Sequence, residues 1–480
     1  MDRRTFLKTV SQAAAVAAAS RIVPGSIGQP SPAEALPSRA TLVAVGDCLI
    51  SRHVSALRDP DFLALAELLR GADATWGNCE LVLADSRDLY PAPKGPDLHC
   101  IAPPWAADEL RWMGIDFVGT ANNHALDFGD EGLFSTLKNL ERAGIPAAGA
   151  GANLEEASRF GLFDSPAGRV AQVTCASSFP PYFAASQAHP YLRGRPGINP
   201  LRLGVQIQLP ETTYEALKSA NGTIYDLLGL NEFGDLSKEL SARLPKGTAS
   251  FYTLNVASGK TVDVVSTPNA EDVKRITESI RMARNNARFV LATIHAHEAR
   301  HKLEIADPFL PAFARACIDA GADAFLATGP HVPRGVELYK GKPVFYSLGN
   351  FLFQYETIQP IPTEAFAVMG LDGRSLDPSL YYRKIPYGTE ERFWHSFVPR
   401  LTFEGETVAG VELFPITLGF SDPPHDRGTP RLARGEEARK ILENVASLSK
   451  PYGTAIEIDG EVGHIRIPTP SPQAKPEKTG

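Results

Sequence analysis

Cysteine is scarce in this chain and does not cluster. Cys48, Cys79, Cys100, Cys175 and Cys317 are five in 480 residues, an odd number without a CxxC pair. That excludes a thiolate zinc knuckle and a fully paired disulfide framework. It leaves small buried fillers at strand ends as their reading. No stretch approaches the roughly 20 apolar residues of a membrane span. Positive charge is not in excess either: 48 basic against 55 acidic residues give −7, which argues against a general nucleic-acid binder. There is no internal repeat. What is present is 43% hydrophobic and 21% charged, with Gly 40 and Pro 39, the make-up of a globular protein with a sizeable core. Length alone sets a prior of roughly three domains at about 150 residues each. Trp76, Trp105, Trp112 and Trp394 read as core aromatics.

The N-terminus reads Met1-Asp2-Arg3-Arg4-Thr5-Phe6-Leu7-Lys8, followed by an Ala-rich run to Ser20. An arginine pair before Phe-Leu-Lys, with Ala33-Glu34-Ala35 as an A-x-A cleavage pattern, predicts a twin-arginine export signal over 1–35. Removing its four basic and two acidic residues moves the net charge from −7 to −9. The expected location is therefore exported, periplasmic or extracytoplasmic, with no membrane span in the mature chain.

Beyond a linker, 36–40, apolar runs and helical spacing alternate. Thr41–Val45 reads as a buried strand stopping at Gly46-Asp47, and Phe62, Leu65, Ala66 and Leu69 as a helix face ended by Gly71. Ala74–Trp76 leads to Asn78-Cys79-Glu80, and the strand Ile115–Val118 to Asn122-Asn123-His124. Further on, strand Phe289–Ile294 ends at His295-Ala296-His297-Glu298, and strand Ala324–Ala327 at Thr328-Gly329-Pro330-His331. A hairpin follows around Lys340-Gly341-Lys342. The alternation predicts a largely parallel α/β layered core, in which ligands bind at the carboxyl ends of strands. Residues 179–268 interrupt it and read as an inserted subdomain or lid; 354–395 is a second irregular insertion. Residues 396–467 supply further strands and a helix that complete the core, and the Pro- and Lys-rich 468–480 reads as a disordered tail.

Among 11 histidines, His124, His295, His297 and His331 fall at expected strand ends, together with Asp47, Glu80 and Asn123. Oxygen and imidazole donors without thiolate suit Mn, Fe or Zn, or a mixed pair of divalent ions. A carboxylate bridging two ions about 3.5–4 Å apart makes a clamp for in-line displacement at phosphorus. An imidazole free of metal can protonate a leaving oxygen. Asp, Asn and His also cap turns, so composition alone leaves a structural role open. Arg52, after the first cluster, offers a bidentate fork for phosphate or carboxylate, or is one of a solvated surface pair with His53. Asn350 either faces the pocket or caps a turn.

Several blocks together carry a resemblance. They are Gly46-Asp47; Asn122-Asn123-His124-Ala125-Leu126-Asp127-Phe128-Gly129; Ile294-His295-Ala296-His297-Glu298; Gly329-Pro330-His331-Val332-Pro333-Arg334-Gly335; and Tyr346-Ser347-Leu348-Gly349-Asn350-Phe351. Taken together, from about Thr41 to Phe353, the chain resembles the CapA family of capsule-synthesis, or poly-gamma-glutamate biosynthesis, proteins. The resemblance implies a metallophosphoesterase-like α/β/β/α layered sandwich with two insertions, its core over 41–353. It implies a di-metal site at the strand ends. Asp47 would be the first metal ligand, Glu80 the bridging or second-metal carboxylate, and Asn123, His295 and His331 further ligands. His124 would be the general acid, with Asp127 and Arg52 as the other catalytic candidates. His297 would be ligand, base or substrate contact; Asn78, Glu298 and Asn350 would meet substrate.

Two departures qualify this. Many relatives have a further His where this chain has Thr328, a poor metal ligand, and His297 is the candidate replacement. The Asp-x-His of ordinary phosphoesterases is here Asp47-Cys48-Leu49. The expectation is an exported metal-dependent hydrolase using two divalent ions. Its partners would be an anionic envelope polymer or a phosphoester, the twin-arginine machinery and membrane-bound polymer synthesis proteins. The alternative is a non-catalytic envelope protein that binds or guides an anionic polymer.

Overall fold

The computed structural model describes residues 36–467 apart from 95–97, 228–247, 252–253, 360, 373, 375–377 and 383. The expected export signal and tail, 1–35 and 468–480, lie outside the described residues. None of the helices among the described residues is long and apolar enough to cross a membrane.

The chain begins with β1 (Arg39–Leu49), buried on both faces from Val43 onward. Helix α1 (Pro60–Arg70) starts where the Asp59 carboxylate accepts the N–H groups of Asp61 and Phe62, with Pro60 preset for the first turn. It buries Phe62, Leu65, Ala66 and Leu69, worth roughly 1.5–3 kcal/mol for each large side chain. β2 (Ala74–Cys79), α2 (Trp105–Met113), β3 (Phe117–Gly119), α3 (Gly129–Arg142) and β4 (Ala147–Ala148) follow. Next come β5 (Gly161–Ser165) and β6 (Gly168–Ala176), then α4 (Ala270–Arg284), β7 (Phe289–His295), α5 (Phe309–Asp319) and β8 (Ala324–Thr328). The chain continues through β9 (Val336–Tyr339), β10 (Lys342–Phe345), β11 (Asn350–Phe353), β12 (His395–Glu404), β13 (Thr407–Thr417), α6 (Gly435–Ser449), β14 (Glu457–Asp459) and β15 (Val462–Arg466).

These strands form two sheets. One runs β14-β15-β13-β12-β1-β2-β3-β4, with β11 also paired to β1 and a short strand, Arg431–Leu432, paired to β13. The other runs β9-β10-β8-β7-β6-β5. Leu42, Ala44, Trp76 and Phe117 of the first sheet pack with Val170, Phe289, Leu291 and Leu326 of the second in one apolar layer. Val43 and Val45, one residue out of phase on β1, instead pack with α1 and α2, through Phe62, Leu65, Leu110 and Met113. On the far side Ala171, Val173, Val290 and Ala292 pack with Ile276 and Ile280 of α4 and Phe313 of α5. Strands covered on both faces read as unbroken apolar runs. The α/β/β/α layered sandwich is therefore the architecture of this chain.

Two features differ from the sequence reading. First, the core is mixed, not largely parallel: β1, β2, β3 and β4 run parallel, as do β6, β7 and β8, but β12 is antiparallel to β1 and to β13. The β12–β13 link is two residues long, and so short a link joins only antiparallel neighbours. Second, β5 and β6 are strands that no sequence signal marked. The 354–395 segment packs onto the core. Tyr355, Tyr381, Tyr382, Phe393 and Trp394 are buried in the same cluster as α1 and α2. Within 179–268, strands Leu203–Pro210, Thr248–Phe251, Leu254–Gly259 and Asp263–Pro268 form their own four-stranded sheet, with helix Glu211–Leu227.

Candidate metal centre

The carboxyl ends of β1, β2, β7 and β8 meet, and β11 enters beside them. Gly46 makes the approach possible: a Cβ there would lie 1.9 Å from the Gly349 carbonyl oxygen. The chain can therefore pass closely enough for the Asp47 N–H to donate to that oxygen at 3.0 Å. From the other sheet, Gly329, at φ 119° against the Ala296 backbone, donates its N–H to Asp47 Oδ2 at 3.2 Å. Two residues on, His331 adopts φ 59°, a left-handed conformation that costs a non-glycine residue roughly 1–3 kcal/mol.

Asp47, Glu80, His295 and His331 are all buried around one point. Asp47 Oδ1 accepts from Asn78 Nδ2 at 2.7 Å, and Asp47 Oδ2 lies 3.4 Å from His331 Nδ1. The Asn350 amide donates to the His331 and Phe393 carbonyls, so its Oδ1 faces His331 Nδ1 at 2.9 Å. That assigns the proton to Nδ1 and leaves Nε2 as the donor atom. His295 Nε2 is 3.0 Å from His297 Nε2 and 3.4 Å from Glu80 Oε1; its Nδ1 lies 3.1 Å from the Thr328 hydroxyl.

Two sets of donor atoms lie close enough to hold an ion each: Asp47, Glu80 and His331, and Glu80, His295 and His297. Glu80 belongs to both. Its two carboxylate oxygens and Asn123 Oδ1 are buried with no hydrogen-bond partner among the described residues. Burial, and then the nearby Asp47, pushes the Glu80 carboxyl well above the usual range. Burial also works to raise Asp47, but its bond to His331 and the His295 charge outweigh it and hold that carboxyl low. His295 and His297 are pushed well below the usual imidazole range, chiefly by burial. A buried carboxylate without a hydrogen-bond partner, facing imidazole nitrogens and a second carboxylate, is what a divalent cation would relieve, so the donor set fits such ions.

Beside this lies a second buried group. His124 Nδ1 is 2.6 Å from Asp127 Oδ2, which also accepts the Cys100 N–H at 2.6 Å. Lys94 Nζ donates to Asp127 Oδ1 at 2.8 Å, from a side chain that is 1% exposed. Burial and the Lys94 charge lower the His124 imidazole; burial opposes the low Asp127 carboxyl, which Lys94 and His124 produce. With Nδ1 turned to Asp127, His124 Nε2 lies 4.0 Å from Glu80 Oε1. Cys100, His124 and Asp127 also lie within ligand distance of one another, but Lys94 already neutralises that carboxylate.

Not every candidate joins the centre. Arg52 donates to Thr357 Oγ1 at 2.6 Å and to the carbonyls of Pro424 and Arg427, so none of its bonds reaches the cluster. Asn78 and Asn350 are at the centre, where their amides bond to Asp47, His295, His331 and Asn122. Glu298 Oε2 accepts from Ser177 Oγ at 2.8 Å. The sequence reading missed Lys94, whose lone position in a Pro-rich loop carries no motif, and Arg334, which lies inside one.

The family model for the bacterial capsule synthesis protein PGA_cap matches residues 41–355. An uncharacterized protein of Sinorhizobium fredii (y4sH) is 34% identical over 89% of this chain and 93% of its own length. The capsule biosynthesis protein CapA of Bacillus anthracis is 24% identical over 66% of this chain and 60% of its own. A hypothetical protein from Thermus thermophilus of solved structure is 14% identical, with a TM-score of 0.35 over 78% of this chain and 98% of its own. By the match of the family model to most of its length, the chain belongs to the bacterial capsule synthesis protein family PGA_cap.

Proposed function

We propose that this protein is an exported, metal-dependent hydrolase of capsule or poly-gamma-glutamate synthesis, cleaving a phosphoester or acyl bond of an anionic envelope polymer. The observation that carries the reading is the shared carboxylate: two donor sets meet on Glu80, whose oxygens are buried without a partner among the described residues. Relatives named for capsule biosynthesis support the polymer, and Arg3-Arg4 supports export.

Asp47 and His331 would hold one ion with Glu80, and His295 and His297 the other, with His297 supplying the imidazole that Thr328 cannot. The ions, when bound, would supply Lewis-acid polarisation of the scissile bond. Asp127 holds the Nδ1 proton of His124, so its Nε2 is the free atom: it would take a proton from the attacking water and pass it to the leaving oxygen. Asn123 Oδ1, buried with no hydrogen-bond partner among the described residues, would add a further oxygen donor.

Metal analysis of the purified protein tests this first: two equivalents of a transition metal are expected. Asp47→Asn should lose metal and chelator-sensitive hydrolysis while its circular dichroism stays unchanged. No metal uptake by the native protein, or full activity in the variant, overturns the reading. A second reading, a non-catalytic protein holding an anionic polymer through the same centre, is favoured by Thr328. Poly-gamma-glutamate binding that survives His124→Ala, with no turnover of polymer or aryl phosphoesters, would select it.

A further inference from the structure

Arg334 is the largest fully buried charged side chain among the described residues. It is 0% exposed and makes no ion pair among the described residues. Its partners are carbonyls only. Nε donates to Leu303 O at 2.7 Å, and Nη2 to Glu298 O at 3.0 Å and His297 O at 3.3 Å. Nη1 is buried with no partner among the described residues. Burial pushes the guanidinium down to about 10, with the Glu298 charge opposing it. A charge buried this way is costly, and an apolar side chain would fill the same space at lower cost. Packing therefore does not account for an arginine here.

The backbone it ties does. Arg334 leaves the chain three residues after His331, and its own N–H donates to Ser347 O, on the segment leading to Asn350. Its side chain crosses to the turn that carries His297 and Glu298. The residue thus ties two histidine-bearing loops, one from each donor set: its backbone lies on the His331 loop and its guanidinium holds the turn of His297. The far loop has a second hold, for the His297 N–H donates to Ser178 Oγ at 2.7 Å.

We propose that Arg334 is a positioning residue: it locks the His297–Leu303 turn against the His331 loop and so sets the spacing of the two donor sets on Glu80. The metal half of this rests on the proposed di-metal reading; the locking of the turn does not. A lysine cannot reproduce it, since an ammonium lacks the fork that reaches the carbonyls of Glu298 and Leu303 together.

The test pairs hydrogen exchange with Mn(II) titration in Arg334→Met, Arg334→Lys and Ser178→Ala. In the metal-free protein, exchange over 296–304 should speed up in all three, least in Arg334→Lys, while exchange in β7 and β8 stays as in the native protein. The affinity for the second Mn(II) equivalent should fall about 10- to 100-fold, the scale for losing a residue that orients a ligand, with the first equivalent retained. Ser178→Ala frees the same turn without disturbing a buried charge, so it decides the matter if Arg334→Met fails to fold. Unchanged exchange over 296–304 in Arg334→Lys and Ser178→Ala overturns the proposal. If the native protein takes up no metal, the di-metal reading falls, and the exchange data still decide whether Arg334 locks the turn.

Discussion

Replacing Lys94 with methionine should destabilise the protein by about 3 kcal/mol, the lower end of the roughly 3–5 kcal/mol for breaking a buried ion pair from one side. The Lys94 and Asp127 side chains are 1% and 0% exposed and 2.8 Å apart. Methionine fills the aliphatic volume but leaves the Asp127 carboxylate without its cation. The lower end applies because that carboxylate keeps two donors, the His124 Nδ1–H and the Cys100 N–H. Lys94→Met combined with Asp127→Asn should recover part of the loss, since no uncompensated charge then remains, and the coupling between the two should exceed about 1 kcal/mol. Urea unfolding of the native protein, both single variants and the double variant closes the cycle. On the proposed reading, turnover should fall in Lys94→Met with metal content unchanged, because Lys94 bonds to Asp127 and His124 but to none of the Glu80 donor sets. Strict additivity, or a loss under about 1 kcal/mol in Lys94→Met, refutes the argument.

On the proposed reading, chelation should lower the melting temperature: ligand at 1,000 times its Kd stabilises by about 4 kcal/mol, and EDTA in a thermal scan removes that term. Gly46→Ala should fail to fold or lose more than about 3 kcal/mol, because its Cβ would meet a backbone oxygen that cannot move; soluble yield and unfolding midpoint report it. Asp272 is held below the usual carboxylate range by Arg202 and Arg275, against the opposing effect of burial. Its folded value lies below its unfolded one, so its contribution is full above about pH 4 and fades as pH falls through the folded value. Native protein should therefore exceed Asp272→Asn by about 2 kcal/mol near pH 7, and the gap should narrow below about pH 4 in denaturation series at both pH values.

Much of the centre was legible because metal sites in layered folds use strand ends, and β1, β2, β7 and β8 announce themselves as apolar runs. Asp47, Glu80, His295, His297 and His331 are the residues that follow those runs. What was not legible are groups fixed by tertiary contact. β6 reads Gly-Arg-Val-Ala-Gln-Val-Thr-Cys-Ala, and its Gln172 and Thr174 break the apolar signal. In the fold Gln172 is buried between the sheets, accepting from Trp76 Nε1 at 2.9 Å and donating to Val118 O at 3.0 Å. A polar residue satisfied across a sheet interface cannot be told from an exposed one by periodicity. Arg52 shows the converse: its place after Asp47 suggested an anion fork, but the chain turns and commits the guanidinium to Thr357 and the 424–427 carbonyls.

That placement sharpens how an acidic protein would handle an anionic polymer. With a net charge of −7, the overall field does not attract one. Arg52 is committed elsewhere, Lys94 is neutralised by Asp127, and Arg334 is solvated by carbonyls. None of the three is left to meet a substrate anion. On the proposed reading, the attraction then falls to the ions themselves, which are the largest local charges such a site can contain. Binding and turnover should therefore share one metal dependence. If anionic polymer binds the EDTA-treated protein as tightly as the metal-loaded one, the polymer is held at some other surface, and the centre built on Glu80 is not its docking point.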